Sequence, residues 1–144
     1  MFSSIRCPAG SAKHLTSESK KPFGKLKVRH VILAVGPDYS TAKSGNDIER
    51  KDDILQSAYH SSLNLAKLAK LECVAFSMLS AGNRIHHSDP NRPLRIAIKS
   101  ICKFEDFGSL KEIHICSYTK DQREILEAII RKLTQEEKYI HLED

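Results

Sequence analysis

The chain has 144 residues and a mass of 16.2 kDa, with 40% hydrophobic and 28% charged side chains, enough to bury the core of one ordinary domain and too short for several. A formal charge of +5 would suggest an anionic partner if it were spread evenly, but residues 1–30 hold seven Lys or Arg against one acid, while the remainder carries sixteen basic and seventeen acidic residues. The longest apolar run, Val31 to Val35, is far short of the roughly 20 residues that cross a bilayer, and no signal-like segment opens the chain. No membrane contact is therefore expected, and an intracellular, cytoplasmic protein is, with a nuclear location left open.

Residues 1–27 are rich in Ser, Lys, Gly and Pro and read as a basic N-terminal segment, with a candidate edge strand from Ala12 to Thr16. Residues 28–135 read as the folded body and 136–144 as a C-terminal tail. In the body, the segment 28–35 contains the continuous apolar run Val31 to Val35 closed by Gly36-Pro37, the pattern of a buried strand stopped by a turn. A polar loop is expected over 38–47. Leu55, Ala58, Tyr59, Ser62, Leu65, Ala66 and Ala69 then recur at helical steps, which predicts an amphipathic helix over 52–71. Cys73-Val74-Ala75-Phe76-Ser77-Met78-Leu79 predicts a second buried strand that breaks into Ser80-Ala81-Gly82. Leu94, Ala97, Ile98, Ile101 and Cys102 mark another helix, and Ile113-His114-Ile115-Cys116 a third strand. Thr119 and Gln122 form a capping box for a last helix with Ile125, Leu126, Ile129, Ile130 and Leu133 on one face. Alternating strands and helices predict an α/β fold with mostly parallel core strands.

Four cysteines, Cys7, Cys73, Cys102 and Cys116, show no CxxC or Cys/His ligand spacing, so no metal site and no cofactor are expected. Three lie in apolar runs, where a buried, reduced thiol acts as a small hydrophobe. His86-His87 beside Ser88 and Asp89 has no spaced third ligand, and Asp89-Pro90 with Pro93 reads more simply as the start of the next helix. Cys7 has no His base beside it and reads as structural. The basic run Lys20, Lys21, Lys25, Lys27 and Arg29 holds a single aromatic, Phe23, and gives little support to nucleic-acid binding.

In α/β sheets, ligands collect where strand carboxyl ends turn into helices. The loop Ser80-Ala81-Gly82-Asn83-Arg84 can aim backbone N–H groups at an anion, because Ala and Gly impose little bulk and Arg84 adds charge; a tight strand-to-loop turn explains the same residues equally well.

The order of segments is more specific. Cys7-Pro8-Ala9-Gly10-Ser11-Ala12-Lys13, Val31 to Pro37, Leu55-Gln56-Ser57-Ala58-Tyr59-His60-Ser61-Ser62-Leu63, Val74 to Gly82 and Arg95-Ile96-Ala97-Ile98 together resemble a macro domain, at similar spacing over nearly the whole chain. The resemblance implies a three-layer α/β/α fold with a mixed, mostly parallel central sheet, and binding of ADP-ribose, free or on modified proteins. It also implies that Ser80, Ala81 and Gly82 match the start of the family's second phosphate loop, with Asn83 and Arg84 beyond it, and that Tyr118 stands where an aromatic lies against adenine. Two departures accompany it. After Gly82 the usual aliphatic, aromatic and glycine are replaced by Asn83, Arg84 and Ile85. Upstream, the Cys-Pro segment begins at residue 7, so the family's Asn-Ala-Ala-Asn-like strand, its adenine-reading acid and its first glycine loop have no counterpart, and the fold is expected to be N-terminally truncated. That strand would lie between 28–35 and 73–79. Either the remaining strands pair directly, a partner chain supplies the missing one, or the chain is a fragment. Hydrolysis of an ADP-ribosyl bond is expected to be absent or very slow. The alternative is a degenerate macro-fold interaction protein without nucleotide chemistry.

Overall fold

The computed structural model describes residues 7–16, 23–83, 85 and 88–140, the last five by their backbone alone. Strand β1 (Ala12–Thr16) is followed by β2 (His30–Ala34), α1 (Gly45–Leu68), β3 (Cys73–Ser77), α2 (Arg92–Cys102), β4 (Glu112–Cys116) and α3 (Lys120–Ile140). The expected alternation of strands and helices is present. The region read as a polar loop contains a 3-10 turn at Tyr39–Thr41 and the first turn of α1. Helix α1 starts earlier than its apolar stripe because Ser44 caps it: the Asp47 N–H donates to Ser44 Oγ at 3.2 Å, and the Asp47 carboxylate accepts the Lys43 N–H.

The strands form two separate pairs rather than one sheet. β1 and β2 run antiparallel, with Ala12 opposite Ala34 and Thr16 opposite His30; β3 and β4 run parallel, with Cys73 opposite Glu112 and Ser77 opposite Cys116. β2 and β3 do not pair, which removes the first of the three outcomes for the middle of the sheet. The direction of each open edge follows from the ladders. Val35 bonds through both its N–H and its C=O to the Gly10-Ser11 segment, so Val31 and Leu33 turn toward β1 and the N–H groups of Ile32 and Ala34 point away from it. The Glu72 carbonyl accepts from Lys111 and Glu112, so Val74 and Phe76 turn toward β4 while Ala75 points to the unpaired side.

Strand alternation also sorts the faces of β3–β4. Val74, Phe76, Ile113 and Ile115 face the helices and join cores built from Leu55, Tyr59 and Leu63 of α1, Leu94, Ala97 and Ile98 of α2 and Leu126 of α3. On the other face Cys73, Ala75, Ser77, Glu112, His114 and Cys116 are exposed, so among the described residues the helices cover one face of this pair instead of two. Cys73 and Cys116 are therefore not the buried thiols their apolar neighbours suggested, and Cys102 is exposed near the end of α2. The error has a simple cause: in an alternating strand, apolar neighbours at odd spacing say nothing about the face between them. None of the four cysteines is in a disulfide. No helix among the described residues is long and apolar enough to cross a membrane.

Helix α1 supports both pairs. Its serines 57 and 61 donate to the Gly10 carbonyl at 2.9 and 3.3 Å, docking the turn before β1. Gly10 has φ +82°, and a Cβ there would come within 3.3 Å of the Ile54 carbonyl, so the turn needs glycine. On the far side Tyr59 packs against Phe76, with ring centroids 5.3 Å apart. Helices α1 and α2 are joined by a polar link in which Asp52 accepts from Tyr39 Oη at 2.8 Å and from Arg92 Nε and Nη2 at 2.9 and 2.6 Å. Asp89 extends it, accepting from Arg95. Burial first, and then the hydrogen bond to Asp52, hold the Tyr39 hydroxyl well above the ordinary tyrosine range. With Asp52→Ala the fully buried Tyr39 hydroxyl loses its acceptor and Arg92 its partner. The expected loss of about 2–3 kcal/mol would be read from urea unfolding, and Tyr39→Phe should then add little to the Asp52→Ala protein.

Candidate functional site at the strand carboxyl ends

The loop after β3 is fixed from three directions. From α1, the Tyr59 hydroxyl accepts the Leu79 N–H at 3.2 Å, while burial pushes the phenol up to about 12 and keeps it neutral. From the end of β2, the Pro37 carbonyl accepts Ser80 Oγ at 2.6 Å. This bond joins the carboxyl ends of two strands that share no ladder. It also explains Gly36: a Cβ on this residue would lie 2.3 Å from Ser80 Oγ. Ser80 has φ +58°, a left-handed conformation that a non-glycine residue adopts only when its surroundings hold it there.

The third contact comes from α3. Gln122 Nε2 donates to the Ala81 carbonyl at 3.2 Å, its Oε1 accepts the Tyr118 N–H at 3.1 Å, and its own N–H donates to Thr119 Oγ1 at 3.2 Å. The capping box is thus half as expected: Thr119 caps the helix, but the Gln122 side chain goes to Tyr118 and Ala81. One amide ties together the loops that carry Ser80-Ala81-Gly82 and Tyr118. The capping signal marked Gln122 for attention, and only the fold shows that its side chain also reaches the Ala81 carbonyl, 41 residues away in sequence.

Of the six residues singled out, Ser80 and Ala81 are half-buried and anchored, Gly82 and Asn83 are exposed, and Arg84 lies outside the described residues. A Cβ at Gly82 would meet nothing within 4 Å, so this position opens to free space. Tyr118 is 97% exposed, its backbone held by Gln122 and its ring free in solvent at the rim of the loop. Among the described residues no hydrogen bond takes up the N–H of Ala81 or Gly82. His86 and His87 also lie outside the described residues. His141 lies outside them as well. Of the remaining histidines, His14 bonds His30 at 3.0 Å, His60 Nε2 donates to the Ser100 carbonyl at 2.9 Å, and His114 Nε2 lies 3.1 Å from Glu112 Oε2. The Cys7 thiol donates to the Ser11 carbonyl at 3.5 Å, a packing contact with no base beside it. An open depression lined by Asp53, Gln56, Ser57, His60, Ser61 and Asn64 follows α1 and is separate from the strand-end loops.

Strand pairs backed by helices, with conformationally fixed loops at the carboxyl ends of the strands, define an α/β module of the kind that places its ligand edge there. Residues 3–90 match the model of the macro domain family, and the chain belongs to that family. It is 33% identical over 119 residues to a macro domain-containing protein of Caldanaerobacter subterraneus subsp. tengcongensis, covering 83% of this chain and 61% of that protein. To a macro domain-containing protein of Methanosarcina mazei it is 28% identical over 128 residues, covering 88% and 62%. Among solved structures it is similar to the Oceanobacillus iheyensis macrodomain with ADP (TM-score 0.69, 21% identity, 90% of this chain and 61% of that one) and to a mutant of that macrodomain with ADPR (TM-score 0.72, 20% identity, 89% and 62%). The chain spans about three fifths of the length of these relatives.

The Ser80 contact yields a test of the loop anchor. Ser80→Ala should cost about 1 kcal/mol. Gly36→Ala should cost about 1–2 kcal/mol by turning Ser80 Oγ off Pro37. In the Ser80→Ala background, where the opposing oxygen is gone and the contacts to Leu55 Cδ1 and Leu79 Cβ at 3.2 and 3.4 Å remain, the Gly36→Ala penalty should be smaller than in the parent chain. Thermal unfolding of the four proteins reads the cycle, and additive losses would contradict the assignment.

Proposed function

We propose that this chain is the loop-bearing part of a macro module that recognises ADP-ribose, free or attached to protein. Macro domains bind ADP-ribose, and the Oceanobacillus relative has been solved with ADP and with ADPR. The observation that carries the reading is the Ser80-Ala81-Gly82 turn, anchored by Pro37 and Gln122, with the Ala81 and Gly82 N–H groups engaged by no described residue. In this reading those backbone donors surround the diphosphate, Asn83 lies beside it, Arg84 contributes positive charge by its place in the sequence, and Tyr118 closes over the adenine ring. The fixed backbone matters more than side-chain identity, so Ala81 in place of a hydroxyl residue costs little.

Hydrolysis of the ADP-ribosyl bond by these 144 residues alone is proposed to be absent or very slow, since none of them matches the Asn on which the family resemblance places that chemistry. Affinity in the isolated chain is proposed to be weaker than micromolar, because among the described residues no strand pairs with the free edges of β2 and β3. A second reading rests on those same open edges: a partner chain adds an extended strand there and completes the module. Nucleic acid is not part of either reading. Four cysteines without a disulfide favour a reducing, intracellular setting.

Thermal unfolding of the 144-residue chain tests the proposal. ADP-ribose at about ten times its Kd should raise the melting temperature by roughly 3–5 °C, AMP at the same concentration should do less, and Gly82→Glu should abolish the shift without lowering the stability of the free protein, since the position is open. An equal response in Gly82→Glu, or none in the parent chain, would overturn the site. Calorimetry giving micromolar or tighter binding would overturn the incomplete cleft. Release of ADP-ribose from a mono-ADP-ribosylated protein would overturn the view that hydrolysis is lacking.

A further inference from the structure

The uncovered face of β3–β4 carries a chemistry that linear spacing hides. Cys73 is paired in register with Glu112, and His114 follows Glu112 by two residues, so all three side chains leave the same face of two hydrogen-bonded strands. One donor atom from each, the Cys73 Sγ, a Glu112 carboxylate oxygen and a His114 ring nitrogen, lies within 4.8 Å of the other two. Glu112 and His114 already touch, with Nε2 and Oε2 3.1 Å apart. The residue opposite His114 is Ala75, whose methyl leaves room above the strands. Cysteine is among the residues most often buried, yet this one is exposed beside an imidazole and a carboxylate.

We propose that Cys73, Glu112 and His114 form a surface site for a borderline-soft divalent metal ion of the zinc class. A thiolate, an imidazole and a carboxylate are ligands such an ion accepts together, and tetrahedral coordination with Zn–S near about 2.3 Å and Zn–N near about 2.0 Å sets donors roughly 3–4 Å apart. Side-chain rotation of three exposed residues bridges the remaining difference. The hard ions Mg²⁺ and Ca²⁺, which seek six or more oxygen ligands, have one carboxylate here and are not favoured. On binding, the metal–sulfur bond replaces the S–H bond and the thiol proton passes to solvent; the imidazole binds in its neutral form. The fourth position is left to water or to a ligand from a partner. Because the three residues sit on strands held in one register, the geometry belongs to the sheet and not to a loop. Cys116 leaves the same face two pairs further along and lies outside the cluster, which gives an internal control.

Titration of the reduced 144-residue chain with Co²⁺ tests the site. The expected result is a near-ultraviolet thiolate-to-cobalt charge-transfer band that saturates at one equivalent, is removed by Zn²⁺ and is unchanged by Mg²⁺ or Ca²⁺. Cys73→Ser should abolish the band, His114→Gln should weaken binding by roughly tenfold or more, and Cys116→Ser should leave both unchanged, with circular dichroism reporting whether each variant keeps its fold. Absence of the band, its survival in Cys73→Ser, or its loss in Cys116→Ser would overturn the proposal.

Discussion

The structure depends on one helix holding two strand pairs that do not hold each other. Helix α1 buries Leu55, Ala58, Tyr59, Ser62, Leu63 and Ala66 along a single face. Its serines take the Gly10 turn on one side, and Tyr59 takes Phe76 and Leu79 on the other. A continuous sheet would distribute this load over ladder hydrogen bonds. Here it passes through side chains, and among the described residues the backbone groups at the free edges of β2 and β3 have no strand to pair with.

The loops at the strand ends inherit that arrangement. Ser80 reaching the Pro37 carbonyl is a short bond across a break in the sheet, and it requires Gly36 beneath it. Gln122 performs a similar task between α3 and the Ala81 carbonyl. A nucleotide diphosphate needs donors whose positions are set before it arrives, and these contacts set the Ser80-Ala81-Gly82 backbone without occupying the Ala81 and Gly82 donors. The proposal of incomplete binding has the same root: these contacts fix the loop proposed for the phosphates, while among the described residues no strand pairs with the free edges of β2 and β3.

Much of this was legible in the sequence. The strands and helices follow from runs such as Val31 to Val35 and the 3.6-residue recurrence in α1, and the family followed from the order of the segments. Ala58, Tyr59, Ser62 and Leu63, quoted for the resemblance, prove to be core positions whose spacing is dictated by packing. The beginning of α1 was hidden because its first turns, Gly45 to Lys51, carry almost no apolar residue, and only the Ser44 cap marks it. The exposed thiols were hidden because burial in a strand depends on what covers each face, which is a property of the whole fold. Gln122 bridging to Ala81, and Cys73 meeting Glu112 and His114, are contacts between segments distant in sequence, and no local pattern encodes them.

The central claim is that, among the described residues, the edge of β2 away from β1 and the edge of β3 away from β4 are unpaired. Amide hydrogen exchange of the 144-residue chain measures it directly. The account predicts alternation within each strand, with Leu33 and Val74 protected by their ladders and Ile32, Ala34 and Ala75 exchanging at close to unprotected rates. Equal protection of both sets would mean that the edges are paired, and would contradict it.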